Sequence, residues 1–226
     1  GTMAVGSEQD LLSPRYLGFI RNSLTLASIA AVLTVLAALI LGTLHRVSTS
    51  RLTGTSLYLA RIGYAVPGGV IAVGLLVPFA AFDNALDAWM RSTFDISTGL
   101  LFTGSIWLLI SAYLIRFLAA AIGAYEGGIA SVAPNMDAAA RTLGQDMPGL
   151  VRRIHMPLLR TSLLTAGLIV FVDVMKELPA TLIMRPFNYD TLAVQAYRLA
   201  SDERLEGAAV PSLVIAAIGL IPVMLL

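Results

Sequence analysis

The residues from Leu24 to Leu44 carry no charged side chain. A helix over this stretch is about 30 Å long at about 1.5 Å per residue, which matches the hydrocarbon thickness of a bilayer. The whole chain agrees with this feature, because 57% of its residues are hydrophobic and only 13% are charged. Soluble domains are far less apolar. We therefore expect an all-α integral membrane protein, folded as a polytopic helical bundle.

The same pattern predicts about five membrane spans. The second of them reads YAVPGGVIAVGLLVPFAAF, and its Gly and Pro residues indicate a helix that faces a pathway or packs closely against other helices. In the third, Arg116 is expected to snorkel toward the end of the span. The predicted spans are 22–44, 64–82, 99–125, 159–184 and 207–226. The predicted polar segments are a lead-in at 1–21, a loop at 134–158 and a segment at 185–206.

Loop charges predict an orientation. The loop between the first two spans holds three Arg and no acidic residue, whereas the next loop holds one Arg and three Asp. The positive-inside rule places the first loop in the cytoplasm and the second outside. By alternation, the loop 134–158 is cytoplasmic and the segment 185–206 is outside. The N-terminus of this chain is then outside and its C-terminus inside.

Several classes of function are disfavoured by what the sequence lacks. It has no Cys and two His, which excludes disulfides and thiolate chemistry and leaves too few His for a histidine metal cluster. The scattered Arg residues give no sign of a nucleic-acid surface. No GxxxxGK[ST] run occurs, so we expect no cofactor or ATP site and no enzyme activity in this chain. Because the sequence has no initiator Met and stops within an apolar run, we expect it to be part of a longer polypeptide.

The polar loop contains the stretch DAAARTLGQDMPGLVRRIHMP, from Asp137 to Pro157. Asn135 is a good N-cap for a first helix, which is expected to run to Leu143 and end at Gly144. Asp146 can cap a second helix that continues past Arg153, and Pro157 marks the bend into the fourth span.

Apolar and polar residues of this loop fall on different helix faces. The predicted apolar face consists of Met136, Ala140, Leu143, Met147, Leu150 or Val151, and Ile154. The residues predicted to point elsewhere are Asp137, Arg141, Gln145, Arg152 and Arg153. From the pattern alone, an interfacial helix on lipid headgroups explains the loop as well as a docking element does.

The spacing of Ala139, Ala140, Gly144, Ile154 and Pro157 resembles the EAA loop in the permease subunits of bacterial ABC importers of type I. In that family the loop forms a coupling helix that sits in a cleft of the ATP-hydrolysing subunit. The resemblance therefore implies a cytoplasmic helix-turn-helix for ATPase coupling, which also includes Asp137 and Arg141. One departure is the position before the two Ala residues, where the family carries an acidic residue and this chain has Ala138. A coupling carboxylate is thus absent or displaced to Asp137.

A second resemblance concerns the substrate. The run from Lys176 to Val214, together with YAVPGGVIAVGLL in the second span, resembles permeases of the ferric-iron importer group. It extends from Asn22 onward and looks like the second half of a two-part permease. Thiamine permeases share parts of the pattern, so another small solute stays open.

The resemblance implies import of ferric iron by alternating access across the bacterial inner membrane. The partners it implies are ATPase subunits that bind ATP and magnesium, a periplasmic solute-binding protein, and the other permease half or a second permease copy.

Asp173, Lys176 and Glu177 lie within the predicted fourth span, at a spacing that can place all three on one helix face. Ionisable groups in a membrane helix usually face a cavity or a partner, and carboxylates suit a hard ferric ion. We hypothesise that Glu177 and Asp173 line a translocation path that also includes Lys176, Pro179 and Thr181, with Pro179 breaking the helix. An internal ion pair that locks the bundle is an equal alternative.

Arg185, Asn188 and Asp190 follow on the predicted outer side, where a binding protein would dock, although an ordinary solvated loop explains them as well. Two other classes of function stay open. An ion-coupled secondary transporter would use Asp173 and Glu177 as cation sites. A membrane enzyme or assembly subunit is the other alternative.

Overall fold

The structure is a computed structural model that describes residues 13–48 and 50–224, without the side chains of residues 134 and 221–223. Within these residues the chain is helical and forms no strand, as expected for an all-α protein. The helices are α1 (Pro14–Val47), α2 (Arg51–Ile62), α3 (Gly68–Phe94), α4 (Ile106–Ile129), α5 (Pro134–Thr142), α6 (Met147–Leu150), α7 (Met156–Leu158), α8 (Arg160–Met175), α9 (Pro179–Met184), α10 (Leu192–Ser201) and α11 (Leu205–Met224).

Helix α1 forms the centre of the bundle and packs against α4 and α8. It begins earlier than the predicted span, because the Ser13 side chain accepts a hydrogen bond from the Tyr16 backbone N–H and Pro14 occupies the first turn. The predicted lead-in at 1–21 falls largely on residues 1–12, which lie outside the described residues. Ala27, Ala30 and other small residues of α1 are fully buried, so neighbouring helices approach its backbone closely.

The second predicted span is interrupted. Helix α2, where the sequence predicted a loop, is followed by a 3₁₀ turn at Gly63–Ala65, and α3 begins only after Pro67. A side chain at Gly63 would overlap the carbonyl oxygen of Ile115 in α4, so this turn is seated directly on the α4 backbone. Helix α3 then continues to Phe94, twelve residues beyond the predicted end at residue 82.

The connection between α3 and α4 is held by two carboxylates of α3. Asp83 is fully buried and accepts a hydrogen bond from the Thr103 backbone N–H at 2.7 Å. Asp87 accepts from the backbone N–H groups of Thr98 at 2.8 Å and Gly99 at 2.9 Å. Helix α4 therefore begins at Ile106 and not at the predicted residue 99, because the preceding residues form this attached loop.

The fourth predicted span is not one helix. Helix α8 ends at Met175, and α9 begins at Pro179. At its other end, α8 makes an angle of 82° with the segment Met147–Leu158. Helices α10 and α11 pack against each other after the short turn that joins them.

In the described part of the chain, α1, α3 and α4 are long and apolar enough to cross a membrane, and a fourth span results if Met147–Leu158 and α8 count as one. Helix α11, which corresponds to the predicted fifth span, is apolar over Leu205–Leu220. The polytopic helical bundle is thus confirmed.

Contacts at the two ends of the bundle show which polar segments lie at the same end. Arg46, at the end of α1, binds Asp137, so the loop after the first span and the loop 134–158 share one end. At the other end, Asn22 donates to the Asp190 carbonyl oxygen at 3.0 Å. This grouping agrees with the one that loop charges predicted.

Candidate functional sites

The loop 134–158 contains the two short helical segments that the sequence predicted. Gly144 adopts a φ of +81°, a left-handed conformation that ends the first segment, and the Asp146 carboxylate caps the second by accepting from the Gly149 N–H at 2.8 Å. The predicted N-cap at Asn135 is wrong. Helix α5 begins two residues earlier with Ala133 as its N-cap, because Pro134 suits the first helical position. We call residues 134–158 the coupling element.

Asp137 was predicted to point away from the core, and this prediction is wrong. The residue is 8% exposed, and its carboxylate binds the guanidinium of Arg46. Arg46 also donates to the carbonyl oxygens of Ile129 at 3.1 Å and Val132 at 2.7 Å. Asp137 lies inward because the partly buried Arg46 guanidinium, held by the end of α4, meets it there.

His155 joins the same network from the other side of the coupling element. It is fully buried, with Nε2 3.0 Å from the Asp137 carboxylate and Nδ1 3.0 Å from the Thr43 hydroxyl. The Thr43 hydroxyl lies 3.2 Å from the Tyr125 hydroxyl. Because an ionised carboxylate only accepts, Nε2–H donates to Asp137; in the neutral ring Thr43 then donates to Nδ1 and Tyr125 donates to Thr43. One chain of hydrogen bonds thus links α4, α1 and the coupling element.

The electrostatics of Asp137 follow from these partners. Burial by itself would raise the pKa of the carboxyl group, but the hydrogen bonds from Arg46 and His155, together with the Arg46 charge, outweigh burial and hold the pKa below its ordinary value. Asp137 is therefore an ionised internal anchor of the coupling element.

The exposed side of the coupling element is mixed in character. Of the predicted apolar face, Ala140 and Leu150 are buried, but Leu143 is 81% exposed and Met136 is 41% exposed. Leu143 is exposed because it lies at the end of α5, beside the Gly144 turn. The exposed basic residues of the coupling element and the start of α8 are Arg141, Arg152, Arg153 and Arg160. An open concavity of about 710 Å³ is lined by Gly144, Gln145, Asp146, Pro148, Gly149, Arg152 and Arg153.

A second site lies in the middle of the bundle. Arg116 Nε lies 3.2 Å from Oε2 of Glu177, whose side chain is 6% exposed. Arg116 stands about 15 Å along α4 at about 1.5 Å per residue, so it is central. The prediction that it snorkels to the end of the span is wrong, because it has a buried partner. Its Nη1 also donates to the Val66 carbonyl oxygen at 2.8 Å.

The structure separates the three charged residues that were predicted to share one face. Lys176 lies 2.9 Å from Asp173 and is 63% exposed, whereas Glu177 turns inward to Arg116. The reason is that α8 ends at Met175, which removes the helical register between Asp173 and Glu177. The predicted helix break at Pro179 is present, because α8 ends at Met175 and Pro179 is the first residue of α9.

Thr181 lies beside this ion pair. Its hydroxyl donates to the Glu177 carbonyl oxygen at 2.6 Å and lies 2.7 Å from the Tyr113 hydroxyl. Since the Thr181 proton is used, Tyr113 donates to it. Tyr113 is 1% exposed, and no local pattern around it indicated this contact.

The three residues predicted for binding-protein docking lie in one loop, with different environments. The Asp190 carboxylate binds Arg185 and lies 3.2 Å from Nη2 of Arg198, so these charges are satisfied within the chain. Asn188 is exposed and left-handed, with a φ of +58°. Phe187 is 100% exposed at this turn and was missed, although an aromatic residue in a polar segment is a sequence signal.

Among the described residues, no group of three or more His, Asp or Glu side chains is arranged to hold a metal ion. Asp173 and Glu177, the carboxylates considered as ligands, face different partners. A resident metal site is therefore not part of the described geometry.

Comparisons with known sequences give transport permeases. No family model matches the chain. It is 27% identical over 214 residues to the Fe(3+)-transport system permease protein FbpB 2 of Haemophilus influenzae, covering 93% of this chain and 38% of that protein. It is 30% identical over 132 residues to the Probable ABC transporter permease protein y4fN of Sinorhizobium fredii, covering 58% and 21%. A Salmonella typhimurium permease protein named for 2-aminoethylphosphonate transport, PhnV, is 24% identical over 160 residues, covering 71% and 54%.

Solved structures show the same fold. The chain matches a bacterial alginate ABC transporter in complex with alginate pentasaccharide-bound periplasmic protein, with a TM-score of 0.72 and 16% identity over 95% of this chain and 78% of that one. A further structure of a bacterial alginate importer gives a TM-score of 0.70 at 16% identity, covering 94% and 78%. The resemblance to ABC importer permeases is confirmed. The chain spans 38%, 21% and 54% of the lengths of the three named relatives.

Proposed function

We propose that this chain is a transmembrane permease segment of an ATP-driven importer, and that the coupling element receives the movement of a partner ATPase. The observation that carries the proposal is the partly buried Asp137–Arg46 ion pair, extended by the fully buried His155. It joins a loop with EAA-like spacing to the membrane helices. A loop that only rested on lipid headgroups would not need such an attachment.

The geometry supports transmission of force. Asp137 attaches α5 to Arg46 at the end of α1, while His155 lies just before α8 and contacts Thr43 of α1. Because buried, hydrogen-bonded groups resist separation, α5 and the start of α8 move with α1. The 82° angle between Met147–Leu158 and α8 then converts displacement of the coupling element into a tilt of α8.

The exposed side of the coupling element supports docking to a separate subunit. Leu143 is 81% exposed and the same element carries the exposed Arg141, Arg152 and Arg153, so a complementary cleft needs an apolar depression and acidic groups. Ala138 supplies no carboxylate at the position where the family has one, and Asp137 is turned inward. Docking in this chain therefore depends on Leu143 and the basic residues. ATP and magnesium belong to the partner subunit.

For the substrate we propose ferric iron, delivered by a periplasmic binding protein and moved across the bacterial inner membrane. The similarity to FbpB 2, which is named for Fe(3+) transport, supports this choice over most of the chain. The binding protein would dock at the end that holds Arg185, Asn188 and Asp190, opposite the coupling element. The loop charges support an outside N-terminus and an inside C-terminus for this chain. The other permease half or a second copy completes the path.

The structure gives little support to an ion-coupled secondary transporter. Such a transporter needs carboxylates that can accept a cation or a proton. Glu177 is paired with Arg116, and Asp173 is paired with Lys176. Both candidate carboxylates are thus neutralised within the chain.

The test is copurification of the complete permease with its ATPase. Leu143→Asp places a carboxylate on the docking surface and is expected to abolish copurification. Leu205→Asp is the matched control, because Leu205 is 70% exposed near the opposite end of the bundle. Equal ATPase recovery with both variants would contradict docking through the coupling element. Absence of any copurifying ATPase would contradict the proposed function.

A further inference from the structure

Two helix interruptions meet in the middle of the bundle. One lies between α2 and α3, around Val66 and Pro67, and the other between α8 and α9. Arg116 of α4 contacts both, because it donates to the Val66 carbonyl oxygen at 2.8 Å and lies 3.2 Å from the Glu177 carboxylate. A single ion pair therefore connects three helices at the point where two of them are discontinuous.

Each charged group also satisfies backbone groups that the interruptions leave free. The Val66 carbonyl oxygen, which precedes Pro67, receives the Arg116 guanidinium. The Glu177 Oε1 accepts from the Ala180 N–H at 3.3 Å, one of the first-turn donors of α9 that have no partner within the helix. Inside a membrane such groups need a protein partner. The ion pair therefore lets both helices stay broken at this depth.

Gly68 shows how closely α3 fits this pair. A methyl group at Gly68 would overlap Glu177 Oε1 and lie 3.3 Å from Nη1 of Arg116. The N-terminus of α3 thus rests against the carboxylate, where the positive end of its helix dipole favours the negative charge. Residues Gly69 and Pro179 continue the contact between α3 and α9, with 3.9 Å between the Cβ atom of Pro179 and a Cβ built on Gly69.

We infer that the Arg116–Glu177 pair is a releasable clasp, which holds the start of α3 against α9 at rest and separates when the ATPase drives the transporter. Arg116 belongs to α4, and it reaches the start of α3 through the Val66 carbonyl oxygen. This inference rests on the proposed function. Stability alone does not explain the pair, because apolar residues of similar volume are often as stable as a buried ion pair. Since the backbone is already interrupted on both sides, α3 and α9 can part without any helix unwinding.

The clasp changes the interpretation of Glu177. Its carboxylate is neutralised by Arg116 and forms half of the clasp. Its first role is therefore to position α3 and α9, and not to bind the transported ion. The neighbouring Asp173–Lys176 pair lacks these features, because both residues lie at the end of one helix and Lys176 is 63% exposed.

A reversible cross-link tests the clasp without changing either charged residue. The chain has no Cys, so Gly69→Cys with Pro179→Cys introduces one defined pair. Their Cβ separation of 3.9 Å falls within the range for a disulfide. In the complete transporter, reconstituted with its ATPase and binding protein, the oxidised pair is expected to lower binding-protein-stimulated ATP hydrolysis about tenfold, and a reductant is expected to restore it. For each single Cys variant, the oxidant is expected to leave the stimulated ATP hydrolysis unchanged.

The outcomes separate the clasp from the proposed function. Full stimulation with the disulfide formed would overturn the clasp, and so would failure of the disulfide to form in the ATP-free transporter. Absence of binding-protein-stimulated hydrolysis in the unmodified transporter would instead overturn the proposed function.

A second variant tests the charge itself. Glu177→Gln is expected to raise hydrolysis without binding protein about fivefold, because the closed state loses its ion pair. Glu126→Gln, which removes the carboxylate of the exposed Arg61–Glu126 pair, is expected to stay within about twofold of the unmodified transporter. If Glu177→Gln fails to assemble, Arg116→Lys replaces it, since Lys keeps the charge but not the planar fork that also reaches Val66. Unchanged basal hydrolysis in the assembled variant would overturn the clasp.

Discussion

Asp137 and His155, eighteen residues apart, meet inside the coupling element with Oδ1 3.0 Å from Nε2. Arg46 holds the other carboxylate oxygen from the end of α1. The two ends of the coupling element are thereby tied to each other and to the same membrane helix. This contact joins the two short helical segments into one packed unit attached to α1.

Loss of the Asp137 charge is expected to destabilise the transporter. Asp137→Asn leaves Arg46 without its anion, and breaking a buried ion pair costs about 3 kcal/mol or more. Glu126→Gln is the control, because the Arg61–Glu126 pair is exposed, with 54% and 39% of the side chains accessible, and such pairs contribute less than about 1 kcal/mol. Thermal unfolding in detergent measures both. Equal shifts in Tm would contradict an anchoring role for Asp137.

The contribution of Asp137 is expected to depend on pH in one direction. Its pKa is lower in the folded protein than in the unfolded chain, so the carboxylate stabilises the fold above the unfolded pKa of about 3.9. That stabilisation is lost as the pH falls through the folded pKa. The Tm difference between the unmodified protein and Asp137→Asn should be constant near pH 5 to 6 and shrink below about pH 4. A difference that stays constant at low pH would show that the ionised carboxylate is not responsible.

The effect of a substitution at Gly144 is expected to depend on the backbone conformation that the new residue tolerates, and not on the volume of its side chain. Its φ of +81° is strained for a β-branched residue, yet no atom lies within 4 Å of a Cβ placed there. Gly144→Val should lower ATPase stimulation about fivefold with normal membrane insertion, whereas Gly144→Asn should stay within about twofold, because Asn tolerates this region. ATP hydrolysis of the reconstituted complex measures the effect. If Val performs as well as Asn, the turn does not position the docking surface.

Two glycines of α3 are expected to respond differently to the same change. Gly68→Ala drives a methyl group against Glu177 and Arg116, whereas Gly74 has open space around its Cβ position. Gly68→Ala should therefore lower Tm. Gly74→Ala should leave Tm unchanged or raise it by reducing chain entropy, worth about 0.5–1 kcal/mol. Thermal unfolding of the two variants measures the difference. Equal Tm values would contradict close packing at the ion pair.

Local signals predicted the turn and the second helix cap of the segment 134–158. Gly144 and Asp146 act through residues within three positions of themselves, so their roles can be read from the sequence. The partners of Asp137 and Glu177 could not be predicted in this way. Arg46 is ninety-one residues from Asp137, and Arg116 is in a different helix from Glu177. Only tertiary packing brings these charges together.

The helix interruptions show a second limit. Hydrophobic windows identify apolar length, but they do not detect the amphipathic α2 or the end of α8 at Met175. The Pro and Gly residues near position 67 were a correct signal of close packing, since Gly63 and Gly68 contact α4 and the ion pair. The residues that contact these glycines could not be predicted, because they depend on how α3, α4 and α9 pack together.

Uptake of radioactive ferric iron into proteoliposomes tests the central claim most directly. The complete permease is reconstituted with its ATPase, and iron is supplied on the binding protein. We expect accumulation that requires ATP hydrolysis, stops with a non-hydrolysable nucleotide and is insensitive to a proton ionophore. Accumulation driven by an ion gradient in the absence of ATP would contradict it.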